Sequence, residues 1–167
     1  MGRPKTTRKK YFLLLCLLII TLTSCLKSDP EKQPVPTDPV KQAAIDEAAI
    51  KAYLAIHTEI IATKDTVSGL YYQIVTPGTG FNPSGGSTVT VAYTGKLLND
   101  IPFDTSTSYT LALKDQMPGW IIGVPLIKPG GRIILLIPSR LGYGDQPYGQ
   151  IPANSVLVFT IDLISIN

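Results

Sequence analysis

Few side chains in this 167-residue chain could do covalent or metal chemistry, for it holds one His, two Cys and one Trp. His57 lies in an Ala-rich segment without a nearby Cys or second His, so neither a metal site nor a nucleophilic triad is expected around it. Cys16 falls within an apolar run, and Cys25 follows Leu22-Thr23-Ser24. Trp120 stands in the stretch 118–138, where a short helix-like turn passes through Pro129-Gly130-Gly131 into the apolar run 133–137, which reads as a buried strand. Periodicity alone makes Trp120 a core residue. It is also the natural floor of any cavity the chain encloses.

The basic residues are concentrated at one end. Five of the 15 (Arg3, Lys5, Arg8, Lys9 and Lys10) lie in the first ten positions, which leaves ten against 12 acids and a net −2 for the rest. Such a body offers no electrostatic reason for a nucleic-acid partner. The apolar run 11–22 is short for a membrane span and fits the core of a signal peptide. Leu22-Thr23-Ser24-Cys25 resembles the lipobox of bacterial lipoproteins, which implies a leader over 1–24, cleavage before Cys25 and acylation of that residue. An uncleaved anchor helix and an ordinary signal peptide are the alternatives. Two or three acyl chains make a stable anchor, each buried CH₂ contributing about 0.8 kcal/mol. Cys16 leaves with the leader, so no internal disulfide is expected.

Residues 25–37 form the next unit, rich in Lys, Ser, Asp, Gln and Pro. It is expected to be a flexible tether, because it cannot bury enough apolar surface to offset its ordering entropy. A helix is expected over 38–62, with Asp38 as cap, Pro39 in the first turn and many Ala residues. Ile45, Ala49, Ile56 and Ile60 can share one face, with Ile50, Leu54 and Ile61 beside them. This helix either docks on its own domain, stands as a stalk or pairs with a second copy. From 64 to 167 the pattern is of short strands: 70–75, 88–95, 103–106, 109–113, 133–137 and 156–164, with the Trp120 turn between the fourth and fifth and a Gly- and Pro-rich loop over 139–154. One antiparallel sheet with a helix on its face, in the α+β class, follows from this order.

An ordered set of motifs then carries a family resemblance. Val91-Ala92-Tyr93-Thr94-Gly95, Phe103-Asp104-Thr105-Ser106, Pro118-Gly119-Trp120-Ile121-Ile122-Gly123-Val124, Gly130-Gly131-Arg132, Ile137-Pro138, Gly142-Tyr143-Gly144, Ile151-Pro152 and Leu157-Val158-Phe159 resemble the FKBP family of peptidyl-prolyl cis/trans isomerases. The resemblance implies an antiparallel twisted half-barrel sheet wrapped around a short helix, here preceded by the N-terminal helix over 38–63. It also implies a proline pocket lined by Tyr93, Phe103, Asp104, Tyr109, Met117, Trp120, Tyr143, Ile151 and Phe159. Tyr143 would donate to the substrate carbonyl, and Asp104 would face the twisting amide or fix the neighbouring tyrosines. No cofactor or metal is implied. Gln116-Met117 stands where the family usually has Val-Ile, and Tyr109 and Ala153 stand where Phe and a second Pro are frequent, so macrolide binding is expected to be weak.

The function expected is a lipid-anchored isomerase of X-Pro bonds in exported polypeptides, mostly monomeric, at the bacterial cell envelope. The outer membrane, on its periplasmic or surface side, is the expected location. A binding or chaperone module with little turnover and a structural lipoprotein are the alternatives. Replacing Cys25 by Ala is expected to abolish lipid labelling and lipoprotein-type processing. A variant and wild type that both run as unlipidated soluble protein would contradict the lipobox reading.

Overall fold

The computed structural model describes residues 38–167; the expected leader, Cys25 and the tether lie outside the described residues. The described chain runs α1 (Pro39–Ile56), β1 (Thr63–Lys64), β2 (Tyr71–Thr76), β3 (Thr88–Leu97), β4 (Pro102–Ala112), α2 (Pro118–Gly123), β5 (Arg132–Ile137) and β6 (Leu157–Ile166). Short 3₁₀ turns lie at Leu113–Asp115, Val124–Leu126 and Ser139–Leu141. The strands form one six-stranded antiparallel sheet in the order β1-β2-β5-β6-β3-β4. The α+β architecture expected from the sequence is therefore present, an open antiparallel sheet with a short helix and an N-terminal helix. No helix among the described residues is long and apolar enough to cross a membrane.

The unbroken apolar run of β5 follows from burial on both sides. Ile133, Leu135 and Ile137 join the main core with Trp120, Val124 and the inward residues of β3 and β6. Leu136 and Ile134 alternate to the other face, where they pack with Ile50 and Tyr53 of α1, Tyr71 and Val158. A strand covered on both faces loses the alternation of a half-buried strand.

Two glycines bring α2 onto β5. A Cβ at Gly119 would lie 2.6 Å from Ile137 Cγ2, and one at Gly123 2.6 Å from Leu135 Cδ1. Spaced by four residues, they share one side of the helix, and their missing side chains let its backbone approach the sheet. Pro118 occupies the first turn, where it sacrifices no intrahelical bond, and the Trp120 N–H donates to Met117 O at 2.9 Å.

The N-terminal helix docks on its own domain. Asp38 caps it, its carboxylate accepting from Val40 N at 2.9 Å. The buried residues are Asp46, Ile50 and Tyr53. The expected stripe docks only in part: Ile50, Leu54 and Ile60 pack against the sheet, whereas Ile45 is exposed and Ile56 is 79% exposed. The cause is polar: Ser139 presents its N–H and hydroxyl to the helix, and Asp46 accepts both, at 2.8 and 2.7 Å. That contact rotates the helix away from the face that apolar spacing alone selects. The helix also ends at Ile56, six residues before the expected end. The His57 N–H makes the last helical bond, to Tyr53 O, and the chain turns so that Ile60 and Ala62 reach the Ile50 cluster and β1 can pair with β2.

The two short strands expected over 103–106 and 109–113 are one strand, β4, paired to β3 across register shifts. Ile50→Ala is expected to lower stability by about 2–5 kcal/mol as a buried large-to-small change. Ile56→Ala is expected to stay within about 0.5 kcal/mol. Urea unfolding of the two variants checks which face of α1 is docked.

Candidate functional site

Three neighbouring strands gather the aromatic side chains. In the β3 register Tyr93 lies between Ser106 and Ile161, and Gly95 between Asp104 and Phe159. Gly95 has a steric reason to be Gly, because a Cβ there would stand 2.6 Å from Phe159 Cε1 and 2.7 Å from Phe103 Cζ. The two phenyl rings meet edge to face at 5.5 Å beside the space it leaves. From Phe159 the contacts continue edge to face to Trp120 at 5.3 Å, and from Trp120 to Tyr93 at 5.2 Å. These are the separations and angles that the ring quadrupoles favour.

The Tyr93 hydroxyl donates to Asp104 Oδ2 at 2.7 Å. Desolvation, followed by that hydrogen bond, raises the Tyr93 pKa, so it remains a neutral phenol and a donor at physiological pH. Tyr109 stands edge-on to Tyr93 at 6.2 Å and is 46% exposed. Trp120 is only 3% exposed, and its indole N–H is a buried donor without a hydrogen-bond partner. Leaving such a donor unpaired costs about 1–3 kcal/mol.

In front of this aromatic layer lies a cavity of about 220 Å³ lined by Phe103, Asp104, Tyr143, Tyr148, Gly149, Gln150 and Ile151. Its outer wall is a small turn in the β5–β6 loop. Tyr148 and Ile151 exchange backbone hydrogen bonds at 2.9 and 2.8 Å, and Gly149 takes the positive φ of +55° that the turn needs. Tyr148 stacks on Tyr143 with ring centroids 4.4 Å apart and planes 5° apart. Desolvation, then the nearby Tyr148 and Asp104, raises the Tyr143 pKa and keeps it a donor. A wider cleft of about 320 Å³ lies elsewhere, bordered by Ile45, Ala49, Leu98 and Val156, but its lining carries no aromatic ring.

Of the residues singled out in the sequence, Phe103, Asp104, Tyr143 and Ile151 meet around the cavity. Tyr93, Trp120 and Phe159 form the packed layer behind Phe103. Met117 caps α2 and packs partly buried against the core, and Gln116 is half-buried in the preceding turn; neither borders this cavity. Sequence reasoning missed Tyr148, Gly149, Gln150 and the steric role of Gly95. A Tyr in a Gly- and Pro-rich loop was the available signal for the first, but its stacking on Tyr143 is a tertiary contact.

The family model described as FKBP-type peptidyl-prolyl cis-trans isomerase matches residues 80–164. The chain belongs to this family. FKBP-type peptidyl-prolyl cis-trans isomerase FkpA of Aeromonas hydrophila is 38% identical over 130 residues, 75% of this chain and 48% of that protein. The crystal structure of FkpA from Escherichia coli matches with a TM-score of 0.67 at 36% identity, over 77% of this chain and 62% of that one. A peptidyl-prolyl cis-trans isomerase from Pseudomonas syringae pv. tomato matches with a TM-score of 0.64 at 29% identity, over 78% of this chain and 98% of that one. The chain spans about half the length of the curated relatives it matches.

Within this FKBP domain, Gly95→Ala is expected to destabilise by about 1–3 kcal/mol through overpacking of Phe103 and Phe159. Trp120→Ala is expected to cost about 3–5 kcal/mol. Both are read from chemical denaturation, and wild-type stability in Gly95→Ala would show that the two rings move aside freely.

Proposed function

We propose that the protein is a peptidyl-prolyl cis/trans isomerase that accelerates the folding of exported proteins at the bacterial cell envelope, held there by a lipid on Cys25. The observation that carries the reading is the cavity itself: Phe103, Ile151 and the Tyr143–Tyr148 pair enclose a space with Asp104 at its side, backed by Trp120 and Phe159, in a chain of the FKBP family. The envelope location rests on the basic segment, the apolar run and Leu22-Thr23-Ser24-Cys25.

An X-Pro bond isomerises slowly because its amide resonance must be broken, at a barrier of about 18–20 kcal/mol. The twisted amide is less delocalised and less polar than the planar one, so an apolar aromatic cavity disfavours the ground state more than the transition state. Phe103 and Ile151 take the proline ring, with Trp120 and Phe159 supporting it from behind. Tyr143 donates to the substrate carbonyl. Asp104 orients the Tyr93 hydroxyl and faces the twisting amide, while Tyr109 and Met117 extend the aromatic and apolar surface for flanking residues. A gain of about 10⁵ in rate requires roughly 7 kcal/mol, a sum that apolar solvation, orientation and one or two hydrogen bonds supply. The partners are proline-containing polypeptides. Macrolides bind weakly, because Gln116 brings a polar amide to the position before Met117, and the protein acts as a monomer.

A protease-coupled assay on an X-Pro peptide, without added metal or nucleotide, is expected to show turnover. Tyr143→Phe is expected to lower kcat/KM about threefold to tenfold, the loss of one transition-state hydrogen bond. A wild-type protein without turnover would leave the binding-module reading in its place.

A further inference from the structure

Asp46 is a carboxylate only 2% exposed, on a helix outside the aromatic site. Each of its oxygens is used. Oδ1 accepts from Gln42 Nε2 at 2.7 Å, one turn back on α1, and Oδ2 accepts from both the N–H and the hydroxyl of Ser139. The Ser139 contact spans 93 residues of sequence. Burying a carboxylate is costly unless its hydrogen bonds are made, so Asp46 holds Ser139 firmly or destabilises the docked helix.

Ser139 begins the 3₁₀ turn that leads into Tyr143. Its carbonyl oxygen accepts from Gly142 N and from Gly144 N, both at 2.9 Å, so the residues on either side of Tyr143 are tied to one carbonyl. Gly144 takes a φ of +67°, and its own carbonyl accepts from Asn154 N at 2.8 Å, closing the loop that carries Tyr148. On its other flank the turn is held by Arg140, whose guanidinium Nη2 donates to Ser68 O. The turn that leads into Tyr143, a lining residue of the cavity, is therefore held in part from outside the sheet, by the Asp46 side chain of α1 on Ser139.

We propose that Asp46 is a positioning residue for the isomerase site, setting through Ser139 the place of Tyr143, and that α1 is thereby a working part of the catalytic domain. This rests on the function proposed above for Tyr143. The aromatic cavity needs its outer wall at a defined distance from Phe103 and Asp104, and a displacement on the order of 1 Å in a donor is enough to lose much of its contribution.

The test uses the full chain with Asp46→Ala, Asp46→Asn and Ser139→Ala, and with Ile50→Ala as a control that loosens the same helix without removing a hydrogen-bond partner of Ser139. Activity is measured well below each variant's unfolding midpoint. Asp46→Ala is expected to lower kcat/KM about fivefold, and Asp46→Asn and Ser139→Ala less, because an amide oxygen still accepts in the first and the backbone N–H of residue 139 still donates in the second. Ile50→Ala is expected to keep wild-type kcat/KM. Combined with Tyr143→Phe, Asp46→Ala is expected to add little further loss, since both act on the same hydroxyl. The aromatic NMR signals of Tyr143 and Tyr148 should shift in Asp46→Ala and stay in place in Ile50→Ala. Full activity in folded Asp46→Ala, additive losses in the double variant, or unchanged Tyr143 signals would overturn the inference. If the wild type lacks turnover, the function proposed above fails, and the Tyr143 and Tyr148 signals still decide whether Asp46 sets their positions.

Discussion

Ile133, Leu135 and Ile137 point to one side of β5, and Ile134 and Leu136 to the other, so the central strand needs two covers and has a helix for each. On the inner side α2 lies close enough to reach it only because Gly119 and Gly123 carry no side chain. Close approach of that helix sets the depth at which Trp120 enters the core, and Trp120 in turn meets Tyr93 and Phe159 edge to face. On the outer side α1 covers Leu136 and Val158, which without it would be an apolar patch on the surface. The aromatic site and the N-terminal helix thus answer opposite faces of one strand.

The site's geometry depends on an equally local steric condition on β3. Gly95 lies opposite both Asp104 and Phe159 in the sheet register, and its empty position is where Phe103 and Phe159 converge. A larger residue would force one ring out, and the Phe103 ring is a wall of the cavity. Two residues earlier Tyr93 points to the same side and closes the Asp104 carboxylate with its hydroxyl. Alternation along a single strand therefore delivers the hydrogen bond and the ring gap together.

Much of this was legible in the sequence where one residue type has one job. The strands at 70–75, 88–95 and 133–137 lie close to where pattern reading put them, and the turn that carries Trp120 is a helix as expected. Phe103, Asp104, Tyr143 and Ile151, carried over from the family resemblance, meet around one cavity. What was not legible depended on partners distant in the chain. Apolar spacing on α1 pointed to Ile45, Ala49, Ile56 and Ile60 with Ile50, Leu54 and Ile61 beside them, of which Ile50, Leu54 and Ile60 dock, but no periodicity argument selects a face containing Asp46, because the reason for burying it is the pair of donors on Ser139. β4 read as two pieces because its residues from Thr105 to Thr110, on the sheet edge and exposed but for a half-buried Ser106, lack an apolar alternation; its pairing to β3 makes it continuous. Tyr148 could be seen only as a loop residue until its ring was placed on Tyr143.

The docking of α1 also separates the roles of polar and apolar contacts. Asp46 binds Ser139 from the middle of the helix, and seven residues on, about 10 Å along the axis, the Tyr53 hydroxyl donates to Asp100 Oδ1 at 2.9 Å, with the His57 ring stacked on Tyr53 and its Nε2 3.2 Å from Asp100 Oδ2. Ile50 lies between these two anchors and is fully buried. Apolar burial of Ile50, Leu136 and Val158 would tolerate a slide or rotation of the helix, since such contacts have little directional preference. Two hydrogen-bonded anchors two turns apart do not, because any slide leaves Asp46 or Ser139 buried and unpaired. The outer face of the sheet enforces the same register: along β6 the outward residues pass from Val158 to Thr160 to Asp162, and Asp162 accepts the bidentate pair from Arg132 of β5 at 2.6 and 2.8 Å. Moving α1 toward that end would cover a solvated ion pair with Ile and Ala, so the helix has one place to lie, and that place puts Asp46 against the turn leading to Tyr143.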